Sequence, residues 1–212
     1  MPDRWGEATA ALAAADPALA AAMAAAGPCT LRRRRHPGGA FAALARSILF
    51  QQLATRAAAA IHARFAALYD GRPTPGAVLA TPDEALRAAG LSGAKAASIK
   101  DLATKVLDGT VPLAGISGLS DQEIVDRLCA VRGIGPWTAQ MFLIFQLNRP
   151  DVWPVGDLGV RGGYARVHGL ERVPSAAELA PAGEPYRPFR TVAAWYCWRA
   201  IDPEVSAPSP EW

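Results

Sequence analysis

The sequence predicts an all-α protein, and three observations carry the prediction. Alanine, leucine and arginine, all strong helix formers, dominate the chain, while alternating β-branched runs are scarce. Apolar residues recur at spacings of three and four along most segments. Helix-start signals punctuate them: Asp16-Pro17, Thr81-Pro82, and Ser120 with Glu123 three residues on. A chain of 212 residues with 51% hydrophobic content can bury a sizeable core. No internal repeat or long low-complexity linker divides it, so one compact unit over residues 1–212 is expected.

The elements follow in order. A helical pair is expected over Glu7 to Ala26, with Asp16-Pro17 starting its second member. The basic turn LRRRRHPGG leads into two helices. Phe41, Leu44, Ile48 and Leu49 share a face of the first, and Ile61, Phe65 and Leu68 a face of the second. GRPTPG reads as a turn, and Thr81 to Ala89 as a short helix with Glu84 at capping-box spacing from Thr81. GLSGAK is a second turn before a helix through Lys105. LSDQEIVDRLCAV and TAQMFLIFQL read as helices flanking a glycine turn, and FRTVAAWYCWRAI as a closing aromatic helix. The proline-rich end after it is expected to fray.

Composition narrows the function. A net charge of +3 and a pI near 9.0 permit a nucleic-acid partner without requiring one. Cys29, Cys129 and Cys197 lie far apart with no CxxC pair, which argues against a disulfide framework and against zinc or iron–sulfur sites; buried thiols in a reducing compartment are expected. Neither a signal peptide nor a membrane span is read from the sequence, so a cytoplasmic location is expected. His36, His62 and His168 lack metal-ligand spacing. Ser92 and Lys95 fit S-x-x-K, yet no KTG or SDN partner exists, which disfavours an acylation site of that type.

The informative stretch is VRGIGPWTAQ, residues 131–140. Helix, then G-I-G, then a helix with Pro136 in its first turn is a helix–hairpin–helix. Its glycines allow positive φ and close backbone approach, and its N–H groups can grip DNA phosphates without reading bases. An ordinary capped αα-hairpin is the plain alternative. Downstream, RPDVWPVGDLGVRGG presents Asp157 just before a helical segment, where it serves either as an N-cap or as a catalytic carboxylate.

From VRGIGPWTAQMFLIFQLNRPDVWPVGDLGVRGG, the chain resembles the helix–hairpin–helix DNA glycosylase superfamily, and within it the 3-methyladenine DNA glycosylase II family. FAALARSILFQQLATRAAAAIHARF and GLSGAKAASIKDLA resemble further family segments, so the likeness runs from about Phe41 to Trp198. The first 40 residues are too few for the β-rich N-terminal domain of long members, which implies a short form. The resemblance implies a two-lobed helical fold with a cleft between lobes. It also implies a partition into a helical lead-in (1–40), a wedge-bearing lobe (41–120), the hairpin and catalytic loop (121–163), closing helices (164–202) and a flexible tail (203–212).

The resemblance also implies roles. Asp157 matches the family's essential aspartate. Trp137 stands where strand-cutting members carry a Schiff-base lysine, which implies a monofunctional enzyme. Trp137, Met141 and Trp198 are expected to form a pocket for the flipped base, with Trp198 as a core residue the plain alternative. Gln52 and Leu53 match the wedge that fills the vacated stack. DNA-backbone grip is expected from Arg132, Gly133, Ile134, Gly135 and Thr138, with Lys95, Arg161 and Arg166 as further phosphate contacts. The implied partner is damaged double-stranded DNA, met by a nucleoid-associated monomer in the cytoplasm without membrane contact. No cofactor is implied, and the only metal entertained is a monovalent cation on the hairpin carbonyls. Two alternatives stand beside this reading: a glycosylase for hypoxanthine, uracil or oxidised bases, and a non-catalytic helix–hairpin–helix binding protein.

Overall fold

The computed structural model describes residues 5–32 and 36–201, and every regular element among them is helical. Arg33–Arg35 of the basic run, and the proline-rich end expected to fray, lie outside the described residues. Two compact units emerge, one from residues 5–32 and 143–201 and the other from residues 36–142.

The first unit begins with α1 (Gly6–Ala15) and α2 (Pro17–Ala26). Asp16 separates them as read from the sequence: it is extended at φ −147°, and its Oδ1 accepts from the N–H groups of Ala18 and Leu19. Trp5 and Tyr196 are buried and tie the lead-in down, donating to the carbonyls of Leu31 and Gly27. The unit continues with α10 (Leu158–Val167), α11 (Ala176–Ala182) and α12 (Arg190–Ile201). Helices α10 and α12 touch backbone to backbone at Gly163, where a Cβ would overlap the Cys197 carbonyl. The capping box of α11, Ser175 with Glu178, is one more start signal.

The second unit is built on α3 (Gly39–Phe50), which buries Phe41, Leu44, Ile48 and Leu49 on the expected face. Its other helices are α4 (Thr55–Ala67), α5 (Pro75–Ala80), α6 (Asp83–Ala88), α7 (Gly93–Leu107), α8 (Asp121–Cys129) and α9 (Pro136–Met141). The box of Ser120 and Glu123 forms in full at the start of α8.

Four local expectations need correction. GRPTPG is not only a turn: Thr74 caps α5, with Pro75 as its first residue. Thr81 consequently ends α5 instead of starting α6; its hydroxyl donates to the Ala77 carbonyl, and no side chain caps α6. Leu68 falls past the end of α4 and is exposed, so Phe65 carries that face. TAQMFLIFQL is α-helical only to Met141 and continues as a π-helical stretch, Phe142–Leu147.

Candidate functional site

In the second unit, α8 and α9 flank the hairpin. Gly133 has φ +79°, and a Cβ there would lie 2.9 Å from Ser98 Oγ on α7, so both conformation and space select glycine. Gly135 differs: it is extended at φ −102°, and a Cβ there would meet open space. Ile134 and Thr138 are buried and anchor the turn, and the Arg132 N–H donates to Asp101 Oδ2 of α7 at 2.7 Å. Burial works against the charged form of Asp101, yet the Lys105 ammonium and this N–H outweigh it and hold the carboxyl below its usual range.

The loop between α3 and α4 meets the hairpin. Gln51 donates through Nε2 to the Gly133 carbonyl at 2.9 Å. Gln52 holds a left-handed φ of +56°, unusual for a residue with a Cβ, and Leu53 is exposed. An open depression of 480 Å³ is lined by Gln52, Leu53, Gly133, Gly135, Trp137 and Thr138, among others. Sequence positions more than 80 apart, read separately as wedge and hairpin, therefore share one surface. Trp137 is 38% exposed, whereas Met141 is fully buried and belongs to the core beneath. Lys95 does not reach outward: its ammonium donates to the carbonyls of Ile48, Leu49 and Gln51, and burial lowers its pKa.

In the first unit, Asp157 is only 6% exposed and caps α10. Its Oδ1 accepts from the Val160 N–H at 2.8 Å and from Trp198 Nε1 at 2.9 Å. Gly159 leaves room for that indole, since a Cβ would sit 2.8 Å from Trp198 Cδ1. The Trp198 ring is itself buried, stacked on Phe145 with centroids 6.0 Å apart. Trp198 therefore fixes the carboxylate; the sequence could hint at this partnership only through the co-occurrence of Gly159 and a tryptophan on α12. Arg161 is engaged within the same unit, donating to the Pro174 carbonyl at 2.6 Å. Among the described residues no cluster of three or more His, Cys, Asp or Glu is arranged to hold a metal, and no helix is long and apolar enough to cross a membrane.

This architecture has known counterparts. Residues 45–188 match the family described as HhH-GPD superfamily base excision DNA repair protein. DNA-3-methyladenine glycosylase 1 of Schizosaccharomyces pombe is 40% identical over 159 residues, covering 74% of this chain and 70% of that protein. The fold matches a structure of the same yeast's 3-methyladenine DNA glycosylase (Mag1) in complex with abasic DNA, with a TM-score of 0.80 and 35% identity over 91% of this chain and 95% of that one. It also matches a DNA-3-methyladenine glycosidase from Bacillus halodurans, with a TM-score of 0.84 and 32% identity over 95% of this chain and 90% of that one. With the glycine hairpin and the buried, helix-capping aspartate in place, the chain belongs to the HhH-GPD superfamily of base excision DNA repair proteins.

Proposed function

We propose that this protein is a monofunctional DNA glycosylase that releases alkylated purines, 3-methyladenine and 7-methylguanine, from double-stranded DNA. The names of its relatives support the substrate class. The observation that carries the chemistry is Asp157, a buried carboxylate whose Oδ1 is pinned by two N–H donors from different helices.

Cleaving an N-glycosidic bond breaks C1′–N and builds positive charge on C1′ and O4′. The electron pair leaves with the base, a water oxygen bonds to C1′, and that water loses a proton. A rigid carboxylate at the sugar stabilises the oxocarbenium-like transition state and can orient the water. A base cationic through alkylation departs neutral and needs little general-acid help. Trp137 puts an indole where a Schiff-base lysine would stand, so the sugar–phosphate strand is left intact. Trp137 is 38% exposed, and its indole would attract a cationic flipped base by cation–π contact. Gln52 and Leu53 fill the vacated stack, and the hairpin from Arg132 to Gly135, with Thr138 beneath it, holds the DNA backbone. A monovalent cation would be held by hairpin carbonyls, hard oxygen donors suited to it; those of Val131 and Gly133 already accept from the Ile134 N–H and Gln51. It would stiffen the turn, and no step of the reaction uses it.

The chain acts as a single functional unit of residues 1–212 and as a monomer. Work on the chromosome places it in the cytoplasm, with the nucleoid. The test is release of methylated base from duplex DNA containing 7-methylguanine. The expected result is free base, strands that break only after alkali, and no borohydride-trapped adduct. Binding without release would leave the binding-protein reading standing. Release of hypoxanthine, uracil or oxidised bases in preference would move the substrate class.

A further inference from the structure

We propose that Lys95 is a positioning residue that sets the wedge loop against the hairpin, an inference that rests on the wedge reading of Gln52 and Leu53. A helix leaves its last carbonyls without intrahelical donors. At the end of α3, the ammonium of Lys95 supplies them, donating to Ile48 at 3.2 Å, to Leu49 and to Gln51 at 2.7 Å. An ammonium has three N–H donors, and here all three are used on backbone, so none is left for a phosphate.

The bonds bracket the point where the backbone is most unusual. Gln52, at φ +56°, follows directly on the last carbonyl that Lys95 holds. A residue with a Cβ keeps that conformation only where its surroundings fix it. On successive turns of the same face of α7, Ser98 lies against Gly133, and Asp101 accepts the Arg132 N–H. Lys95, Ser98 and Asp101 thus form one rail, with the wedge loop on its first turn and the hairpin on the next two. Gln51 closes the circuit by donating to Gly133.

Lys95 therefore governs the aim of the side chains that replace a flipped base, not the chemistry at the sugar. Its contribution is greatest when the target base is paired and stacked, and smallest when a mismatch has already loosened it. The experiment is single-turnover release of 7-methylguanine, paired with cytosine or mismatched, by the native protein, Lys95→Met, Lys95→Arg and a Gln52→Ala, Leu53→Ala double variant. Thermal melting runs alongside, and Lys95→Gln stands in should Lys95→Met fail to fold. The expected result is a paired-to-mismatched rate ratio lowered roughly tenfold in Lys95→Met, in the same direction as the wedge variant, and largely restored in Lys95→Arg. Equal losses on both substrates, or an unchanged ratio in Lys95→Met while the wedge variant lowers it, would overturn the role of Lys95 alone. A wedge variant with the native ratio would overturn the wedge reading and this inference with it. No release by the native protein would remove the proposed function itself.

Discussion

At the scale of single residues, Asp157 and Trp198 form a buried pair at the start of α10, carboxylate to indole N–H at 2.9 Å. Asp157 was readable as a cap or a catalytic carboxylate; the structure makes it a cap whose Oδ1 also receives the Trp198 indole N–H. The resemblance groups Trp198 with Trp137 and Met141 as a pocket wall; Trp198 and Met141 are buried, while Trp137 is 38% exposed. Helical spacing predicts that Trp137 and Met141 lie near one another, but not which of them faces solvent. Of these three side chains Trp137 alone is exposed, and its proposed contribution to base recognition can be measured. A good cation–π contact is worth about 0.5–2 kcal/mol, so Trp137→Ala should reduce the preference for methylated over ordinary purines by roughly twofold to thirtyfold. Competitive excision assays check this; an unchanged preference assigns the discrimination elsewhere.

A helix start is legible where a cap marks it and obscure where the capping residue is used by the preceding helix. Asp16-Pro17 and the box of Ser120 and Glu123 formed as read. Thr81-Pro82 did not, because Thr74-Pro75 starts α5 just upstream and Thr81 is consumed in ending it. The packing of α10 on α12 was not legible, since glycine spacing does not say which backbone will come close. It yields a paired prediction. Gly163→Ala places a methyl on the Cys197 carbonyl and should cost about 1–3 kcal/mol or more, lowering the melting temperature and, through α12 and Trp198, the activity. Gly162→Ala meets nothing nearer than Ile201 Cγ2 at 4.0 Å, so it should be neutral or stabilise by up to about 1 kcal/mol through helix propensity. Equal effects of the two in thermal melts would contradict the contact.

For the whole molecule, the all-α class followed from composition and period, whereas the meeting of the α3–α4 loop with the hairpin is a long-range contact that no local pattern encodes. Stability against acid is likewise a property of the fold. Burial, then the charges of Arg46 and His36, push His62 down from 6.5 to about 4. The unfolded chain takes up this proton as pH falls past 6.5, while the folded protein resists until about pH 4. This contribution is thus fully present above pH 6.5 and is lost as pH falls from 6.5 to 4. His62→Gln should flatten the fall of melting temperature across that window, and an unchanged slope would show that other groups set it. Whether this helical frame holds Asp157 for hydrolysis at the sugar is decided by comparing native protein and Asp157→Asn in single-turnover release of 7-methylguanine. Asn caps a helix about as well as Asp. The variant is expected to keep native melting and native duplex binding with release all but abolished; a variant that folds, binds and still releases base at the native rate would reduce Asp157 to a cap.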